Sequence, residues 1–335
     1  MRDHAGRRGG GGRRSVAGRR IVATPSVLIW LDDAGDYLRA AEAAGLATSI
    51  DLITTPLSSD PPDDRLARAD ALLAWRPPAR LAARAPRLAW IQSLTGGCEQ
   101  FLGPDVPANV VLTCARGTHR VQMTEHILAA LFMCAKDLAG IVRDQSQQRW
   151  RRRVNPTLAG ATLGILGLGA IGAELARVAS LLSMRVIATK RDPATASADV
   201  DALHTQDRLL ELLGQADVVA LTCPLTPDTE HLIDARALAA MKPGAHLINV
   251  ARGRVVDEPA LIQALQQRRI AAAGLDVMHE EPLAADSALW AMPQVLITPH
   301  SAGETRRYED AVIDILLDNL QRLWRGETAL TNQVV

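Results

Sequence analysis

The segment Gly167-Leu-Gly-Ala-Ile-Gly172 constrains the fold of this chain more than any other feature. It follows the apolar run 162–166, which predicts a buried strand, and opens the amphipathic stretch 173–182, which predicts a helix. In such a turn the first glycine permits a tight bend, the second admits a pyrophosphate and the third lets helix and strand pack closely. The N–H groups of the helix N-terminus face the phosphates. We therefore predict a dinucleotide-binding turn made by Gly167, Gly169, Ala170, Ile171 and Gly172.

Short apolar runs alternate with helical patterns along the rest of the chain, which predicts parallel sheets covered by helices. Strands are predicted at 27–31, 71–75, 88–91 and 110–114, then at 162–166, 185–189, 217–222, 245–250, 272–277 and 295–298. The second group amounts to a six-stranded doubly wound sheet. One long apolar helix is predicted at 121–142 and one amphipathic helix at 305–325.

The helix at 305–325 has no strand of its own to cover, so we expect it to return to the first unit. The predicted fold is therefore α/β, with two doubly wound parallel-sheet domains. A Rossmann cofactor domain, residues 121–301, is inserted into a flavodoxin-like substrate domain formed by 21–120 and 302–335. The two crossings, near residues 120 and 302, are expected to form a hinge.

Composition excludes several classes of protein. The 335 residues carry 37 basic and 37 acidic side chains, so no net field favours nucleic acid or anionic lipid. No apolar stretch has the roughly 20 residues of a membrane helix, and the widely spaced cysteines fit a reducing compartment. We predict a soluble cytoplasmic protein with no metal site. Residues 1–20, rich in Gly and Arg, are expected to be a disordered, inert tail; a nucleic-acid-binding arm is the alternative.

The predicted strand 185–189 runs into Lys190-Arg191-Asp192. An acidic residue at this place usually accepts hydrogen bonds from the adenosine ribose of NAD. Lys190 and Arg191 can instead donate charge-assisted hydrogen bonds to a 2′-phosphate. We therefore predict NADP as the preferred cofactor. The alternatives are NAD, or a solvated basic loop that gives no preference between the two cofactors.

Four further motifs carry a resemblance to a known family. They are PLTPDTEHLI (224–233), MKPGAHLINVARGRVVDE (241–258), GLDVMHEEPL (274–283) and TPHSAG (298–303). With the glycine turn, they closely resemble the D-isomer-specific 2-hydroxyacid dehydrogenases, from about Leu88 to the C-terminus. The resemblance implies hydride transfer between NAD(P)H and a small 2-oxo acid, as in glyoxylate/hydroxypyruvate reductases, with Arg252, Glu281 and His300 as the catalytic residues.

The chemistry of such a reduction needs these residue types. As hydride arrives, the carbonyl oxygen of the 2-oxo acid becomes negative and a proton must reach it. The imidazole of His300 can be charged or neutral near neutral pH, so it can donate that proton and take it back. Glu281 would fix the ring tautomer, and Arg252 presents a planar fork of donors to the substrate carboxylate.

The resemblance also implies binding residues. Backbone N–H groups of Leu94, Thr95 and Gly96 are candidates for holding the substrate carboxylate, together with Arg252 and His300. Cofactor contacts are implied at Cys223, Pro224, Thr229, Val250, Ala251, Arg252, His300 and Gly303, and Asp276 would accept from the nicotinamide carboxamide. Glu125-His126 is expected to pack only, and His279 to lie on the rim of the site.

Other functions remain open at this point. The family includes formate and phosphite dehydrogenases, although Glu281 stands where the formate enzymes usually have Gln. A dinucleotide-sensing corepressor would use the same fold for protein interactions. The resemblance also implies a homodimer built on the helix predicted at 121–142.

Overall fold

The structure is a computed structural model that describes residues 25–46, 50–107, 109–196, 200–305, 308–325, 327 and 329–334. The Gly/Arg segment 1–20 lies outside the described residues. The chain divides into two compact units, one within Met1–Thr118 and Arg307–Val335, the other formed by His119–Arg306. The second unit is thus inserted into the first.

In the described part of the first unit, five parallel strands form one sheet, in the order β2-β1-β3-β4-β5. The strands are β1 (Ser26–Trp30), β2 (Asp51–Thr55), β3 (Ala71–Ala74), β4 (Trp90–Ser93) and β5 (Val111–Thr113). The helices are α1 (Gly35–Ala43), α2 (Asp63–Arg68), α3 (Leu81–Arg84) and, near the C-terminus, α10 (Tyr308–Trp324). This order is the doubly wound arrangement of flavodoxin, which confirms the predicted class. Strand β2 was not predicted because its sequence, DLITT, is mostly polar.

The C-terminal helix α10 belongs to the first unit. Its Val312 and Leu316 pack in one core cluster with Val27 and Ile29 of β1. The amphipathic pattern at 305–325 therefore marked a helix that covers the first sheet, as predicted from the lack of an adjoining strand.

The described residues of the inserted unit form a sheet of seven parallel strands, in the order β12-β11-β10-β9-β6-β7-β8. The strands are β6 (Thr162–Leu166), β7 (Arg185–Thr189), β8 (Ala202–His204), β9 (Val218–Leu221), β10 (His246–Asn249), β11 (Ala272–Leu275) and β12 (Val295–Ile297). The expectation of six strands was wrong by one. The extra strand, β8, has three residues at the sheet edge and pairs with β7, too short for a periodic signal.

The expectation of one helix at 121–142 was also wrong. The segment forms α4 (Arg120–Ala135) and then α5 (Leu138–Ser146). Between them Asp137 adopts a φ of 47°, and its carboxylate accepts a hydrogen bond from the N–H of Gly140 at 3.1 Å. Asp137 therefore ends one helix and caps the next, a device that apolar periodicity does not reveal.

The remaining helices of the inserted unit are α6 (Ala170–Leu181), α7 (Leu209–Gln215), α8 (Ala235–Ala240) and α9 (Glu258–Gln266). Apolar side chains cover both faces of the sheet, in two separate core clusters. Because all its strands are parallel, the loops that follow them meet at one edge. Among the described helices, none combines the length and the apolar character needed to cross a bilayer.

Candidate active site

The glycine turn between β6 and α6 has the geometry that a dinucleotide requires. Gly167 has a φ of 105°, and a Cβ there would lie 2.7 Å from the backbone N of Cys223. A Cβ on Gly172 would lie 2.3 Å from the carbonyl oxygen of Gly167, whereas one on Gly169 would meet nothing within 4 Å. The first and third glycines are thus required by packing, and the second faces open space beside the N-terminus of a 12-residue helix. The turn therefore fits a bound pyrophosphate.

The loop after β9 forms a neutral wall beside this turn. Cys223 is buried, and burial raises the pKa of its thiol to about 11, so the side chain stays uncharged. The Thr229 hydroxyl donates to the carbonyl oxygen of Pro224 at 2.7 Å and accepts from the N–H of Thr226 at 2.7 Å. Thr229 therefore shapes the loop through its own hydrogen bonds, and a contact with the cofactor stays a prediction for all three predicted residues.

Two cations follow strand β7. The N–H of Lys190 donates to the carbonyl oxygen of His204 on the edge strand at 3.0 Å, which fixes the backbone at this point. Arg191 is exposed. The carboxylate of Asp192 turns back and accepts from the N–H of Ala194 at 3.1 Å, which caps the next short helical turn. Basic side chains therefore stand where a carboxylate would meet the adenosine ribose.

Arg252 sits on a turn braced by a buried amide. Asn249 is 1% exposed; its side chain donates to the carbonyl oxygen of Arg252 at 3.1 Å and accepts from the N–H of Ala251 at 3.0 Å. A Cβ on Gly253 would lie 1.8 Å from the carbonyl oxygen of Met278. This close approach of two backbones brings the Arg252 turn against the loop after β11. The bracing role of Asn249 was not predicted, although it belongs to the motif that contains Arg252.

Glu281 and His300 form the predicted pair. Their Oε2 and Nδ1 atoms are 2.6 Å apart, and the other oxygen of Glu281 accepts from the N–H of Met278 at 3.0 Å. The side chain of His300 is 51% exposed and that of Glu281 38%. Since a carboxylate faces Nδ1, that nitrogen carries a proton and Nε2 is left to exchange one with a ligand.

Asp276 is buried under the turn that carries His300. Its side-chain oxygens accept from the N–H groups of Ser301 and Ala302, each at 3.0 Å, and from the hydroxyl of Thr298. Its backbone oxygen accepts from the N–H of His300 at 2.8 Å. Asp276 therefore shapes this turn through its hydrogen bonds. Its contact with the nicotinamide carboxamide stays a prediction.

His126 does more than the packing that was expected. Its Nε2 lies 3.0 Å from the hydroxyl oxygen of Thr298 and 3.6 Å from Oδ1 of Asp276. His126 thus joins helix α4 to the His300 turn across 172 residues of sequence. No local pattern marks such a contact; the neighbouring Glu125 is exposed.

His279 lies beside the pair and turns toward another histidine. It is exposed, its N–H donates to Glu258 at 3.0 Å, and its ring centroid is 6.1 Å from that of His231. Both rings line a cavity of about 420 Å³.

Gly303, which was predicted to contact the cofactor, packs closely on His119. A Cβ on Gly303 would lie 2.9 Å from Cδ2 of His119.

The predicted substrate loop lies in the first unit, after β4. The N–H of Leu94 donates to the carbonyl oxygen of Ala74 at 3.1 Å, and the side chain of Leu94 is fully buried. The Thr95 hydroxyl accepts from the Gln100 amide at 3.0 Å. Leu94 is therefore a core residue whose N–H is already bonded, and the N–H of Thr95 likewise donates to Oγ of Ser93 at 3.2 Å. Substrate-binding roles for Leu94, Thr95 and Gly96 stay predictions.

The chain is similar in sequence to a known protein family and to several of its members. Residues 128–302 match the model of the D-isomer specific 2-hydroxyacid dehydrogenase, NAD binding domain. The chain is 38% identical over 250 residues to the (S)-sulfolactate dehydrogenase of Chromohalobacter salexigens, which covers 72% of this chain and 79% of that protein. It is 36% identical over 253 residues to glyoxylate/hydroxypyruvate reductase B of Pectobacterium atrosepticum, covering 72% and 78%.

A solved structure is similar to most of the chain. It is that of a D-isomer specific 2-hydroxyacid dehydrogenase from Xanthobacter autotrophicus Py2 in complex with NADPH and MES. The TM-score is 0.82 at 32% identity, and the match covers 93% of this chain and 98% of that one.

Proposed function

Because the chain belongs to the D-isomer specific 2-hydroxyacid dehydrogenase family, we propose that it reduces a small 2-oxo acid to the D-2-hydroxy acid, with His300 as the general acid. The chain is an NAD(P)-dependent 2-hydroxyacid dehydrogenase. The observation that carries the finer assignment is the 2.6 Å contact between Nδ1 of His300 and Glu281 on an exposed edge of the sheet.

His300 holds the transferable proton on Nε2. Glu281 accepts from Nδ1–H and fixes the tautomer of the ring, so the proton that leaves is the one on the opposite nitrogen. It passes to the carbonyl oxygen of the substrate as that oxygen becomes negative. In the reverse direction the neutral ring takes the proton from the hydroxyl group.

Arg252 orients the acid. Its guanidinium offers two parallel N–H donors to the substrate carboxylate and one to the carbonyl oxygen, which polarises the bond that is reduced. The hydrogen bonds of Asn249 to this turn keep the backbone of Arg252 in place. Of the substrate-loop candidates, Thr95 and Gly96 are proposed to contact the same carboxylate.

The bound nicotinamide cofactor supplies the hydride. The open space at Gly169 and the N-terminus of α6 fit its pyrophosphate, beside Cys223 and Pro224. We propose NADP as the preferred form because Lys190 and Arg191 stand at the end of β7 and favour a 2′-phosphate. The NADPH in the similar Xanthobacter structure agrees with this preference.

We propose glyoxylate, hydroxypyruvate or a similarly small 2-oxo acid as the substrate. The names of two relatives, a sulfolactate dehydrogenase and a glyoxylate/hydroxypyruvate reductase, support this size range. A cytoplasmic location stays a prediction.

We also propose that the enzyme is a homodimer. Apolar side chains on α4, on α5 and in the segment that follows are exposed, and Trp150 is 98% exposed. The others are Val121, Phe132, Leu138, Ile141, Val142 and Val154. A second copy of the chain would remove this apolar area from water; sedimentation of a monomer at micromolar concentration would contradict it.

The assay that tests the function follows the oxidation of NADPH with a panel of 2-oxo acids. We expect turnover with glyoxylate or hydroxypyruvate, and reduction of NADP when sulfolactate is supplied in the reverse direction. Cofactor binding without turnover of any acid would instead support a dinucleotide sensor on the same fold.

A further inference from the structure

Three polar side chains connect helix α4 to the turn that carries His300. His126 on the helix lies 3.0 Å from the hydroxyl of Thr298, and that hydroxyl is bonded to the carboxylate of Asp276. Asp276 is 3% exposed. The proton exchange between His300 and the substrate does not pass through these groups, so their arrangement needs a separate explanation.

The direction of the hydrogen bonds follows from the chemistry of the groups. The Asp276 carboxylate can only accept, so the hydroxyl of Thr298 must give it its single proton. The oxygen of Thr298 can then only accept from His126. Nε2 of His126 must therefore carry a proton and act as the donor, whether the ring is neutral or charged.

The far end of this chain of bonds controls the backbone around His300. The carboxylate of Asp276 accepts hydrogen bonds from the N–H groups of Ser301 and Ala302, each at 3.0 Å. The backbone carbonyl oxygen of Asp276 accepts from the N–H of His300. His300 has a φ of 53°, a conformation that residues with a Cβ adopt rarely and keep only when the surroundings impose it. The carboxylate and the backbone oxygen of Asp276 together therefore hold the turn from which the His300 ring projects.

We propose that His126 is a positioning residue for the reduction: its Nε2–H orients Thr298, which orients the Asp276 carboxylate and through it the His300 turn. The role in turnover rests on the proposed function of His300. His126 itself does not touch the transferred proton. The effect of losing its donor is a displacement of the His300 ring, which lowers the rate of the chemical step and leaves binding nearly unchanged.

Two substitutions separate this role from packing. His126→Leu keeps much of the side-chain volume and removes the donor, whereas His126→Gln places an amide N–H near the position of Nε2. We expect the Leu variant to lose about tenfold in kcat, with KM for NADPH and for the acid within about twofold, and the Gln variant to recover most of the loss. Glu125→Ala, at an exposed position one residue away, is the control and should match the parent.

A second measurement does not depend on activity. Hydrogen exchange of the Ser301 and Ala302 amides, followed in the full-length protein, should be faster in His126→Leu and restored in His126→Gln. If the parent reduces no 2-oxo acid, the proposed function fails while these amides still decide whether His126 holds the turn. A Leu variant with parental kcat, or with parental amide protection, would overturn the proposal.

Thr298 provides the same test if His126→Leu does not fold. Thr298→Ser keeps the hydroxyl that links His126 to Asp276, and Thr298→Val removes it at nearly equal volume. The proposal requires that Val lowers kcat and speeds the exchange of both amides, and that Ser does neither. Equal behaviour of the two variants would contradict it.

Discussion

The two units of this chain use the same sheet edge in different ways. In the inserted unit, the loops after β10, β11 and β12 present Arg252, Glu281 and His300 to solvent, each braced by backbone or buried polar partners. In the first unit, the loop after β4 turns its polar groups inward, as the bonds of Leu94 and Thr95 show. Exposed side chains of the inserted unit can thus meet a ligand, whereas the N–H of Leu94 and the hydroxyl of Thr95 are bonded within their own unit.

The largest test of this contrast is the removal of the proposed acid. His300→Ala should lower kcat for any 2-oxo acid that the parent reduces by about 10³-fold, because general acid catalysis contributes on this scale. The dissociation constant for NADPH, measured by fluorescence titration, should change little. The matched control is His279→Ala, another exposed histidine nearby; parental turnover in His300→Ala would end the catalytic assignment.

A smaller effect is expected when the fork at Arg252 becomes a point charge. Arg252→Lys should raise KM for the 2-oxo acid by about 10²-fold, since one ammonium cannot make two parallel bonds to a carboxylate. Steady-state kinetics with saturating NADPH measure this. Arg254→Lys, two residues away and paired with Glu230, should behave as the parent. If KM for the 2-oxo acid rises equally in both variants, the proposed role of Arg252 in binding the substrate carboxylate is wrong.

Cofactor preference tests the basic residues that follow strand β7 of the inserted unit. Arg191→Asp should lower the ratio of kcat/KM for NADPH over NADH by about 10- to 100-fold, because a carboxylate repels a 2′-phosphate and accepts from a 2′-hydroxyl. Arg185→Asp, at the opposite end of the same strand, is the control. Equal use of both cofactors by the parent would remove the basis for the NADP proposal.

The smallest effect is expected in the first unit. Thr95→Val removes the hydroxyl bonded to Gln100 and should raise KM for the 2-oxo acid about fivefold, with kcat and KM for NADPH unchanged. Thr54→Val, at an exposed strand position, should have no effect. A fall in kcat as large as that of His300→Ala would contradict a role of Thr95 in substrate binding alone.

The sequence alone determined much of the inserted unit. The glycine turn and the strand that precedes it could be predicted because they form one continuous motif. The family resemblance implied Arg252, Glu281 and His300 as catalytic residues; their roles stay predictions, and the structure brings Glu281 and His300 into contact at 2.6 Å. The strand signals were clear because buried parallel strands are apolar on both faces. In the first unit, strand β2 (Asp51–Thr55) was not predicted because its sequence lacks this apolar character.

How these groups are held depends on contacts between parts of the chain that are distant in sequence. The link from His126 to Thr298 joins positions 172 residues apart, and the bond from Leu94 to Ala74 joins neighbouring strands. The end of helix α4 at Asp137 depends on a left-handed backbone and a side-chain cap. A side chain's hydrogen-bond partners are set by the packing of separate elements, and periodicity and composition carry no record of which elements meet.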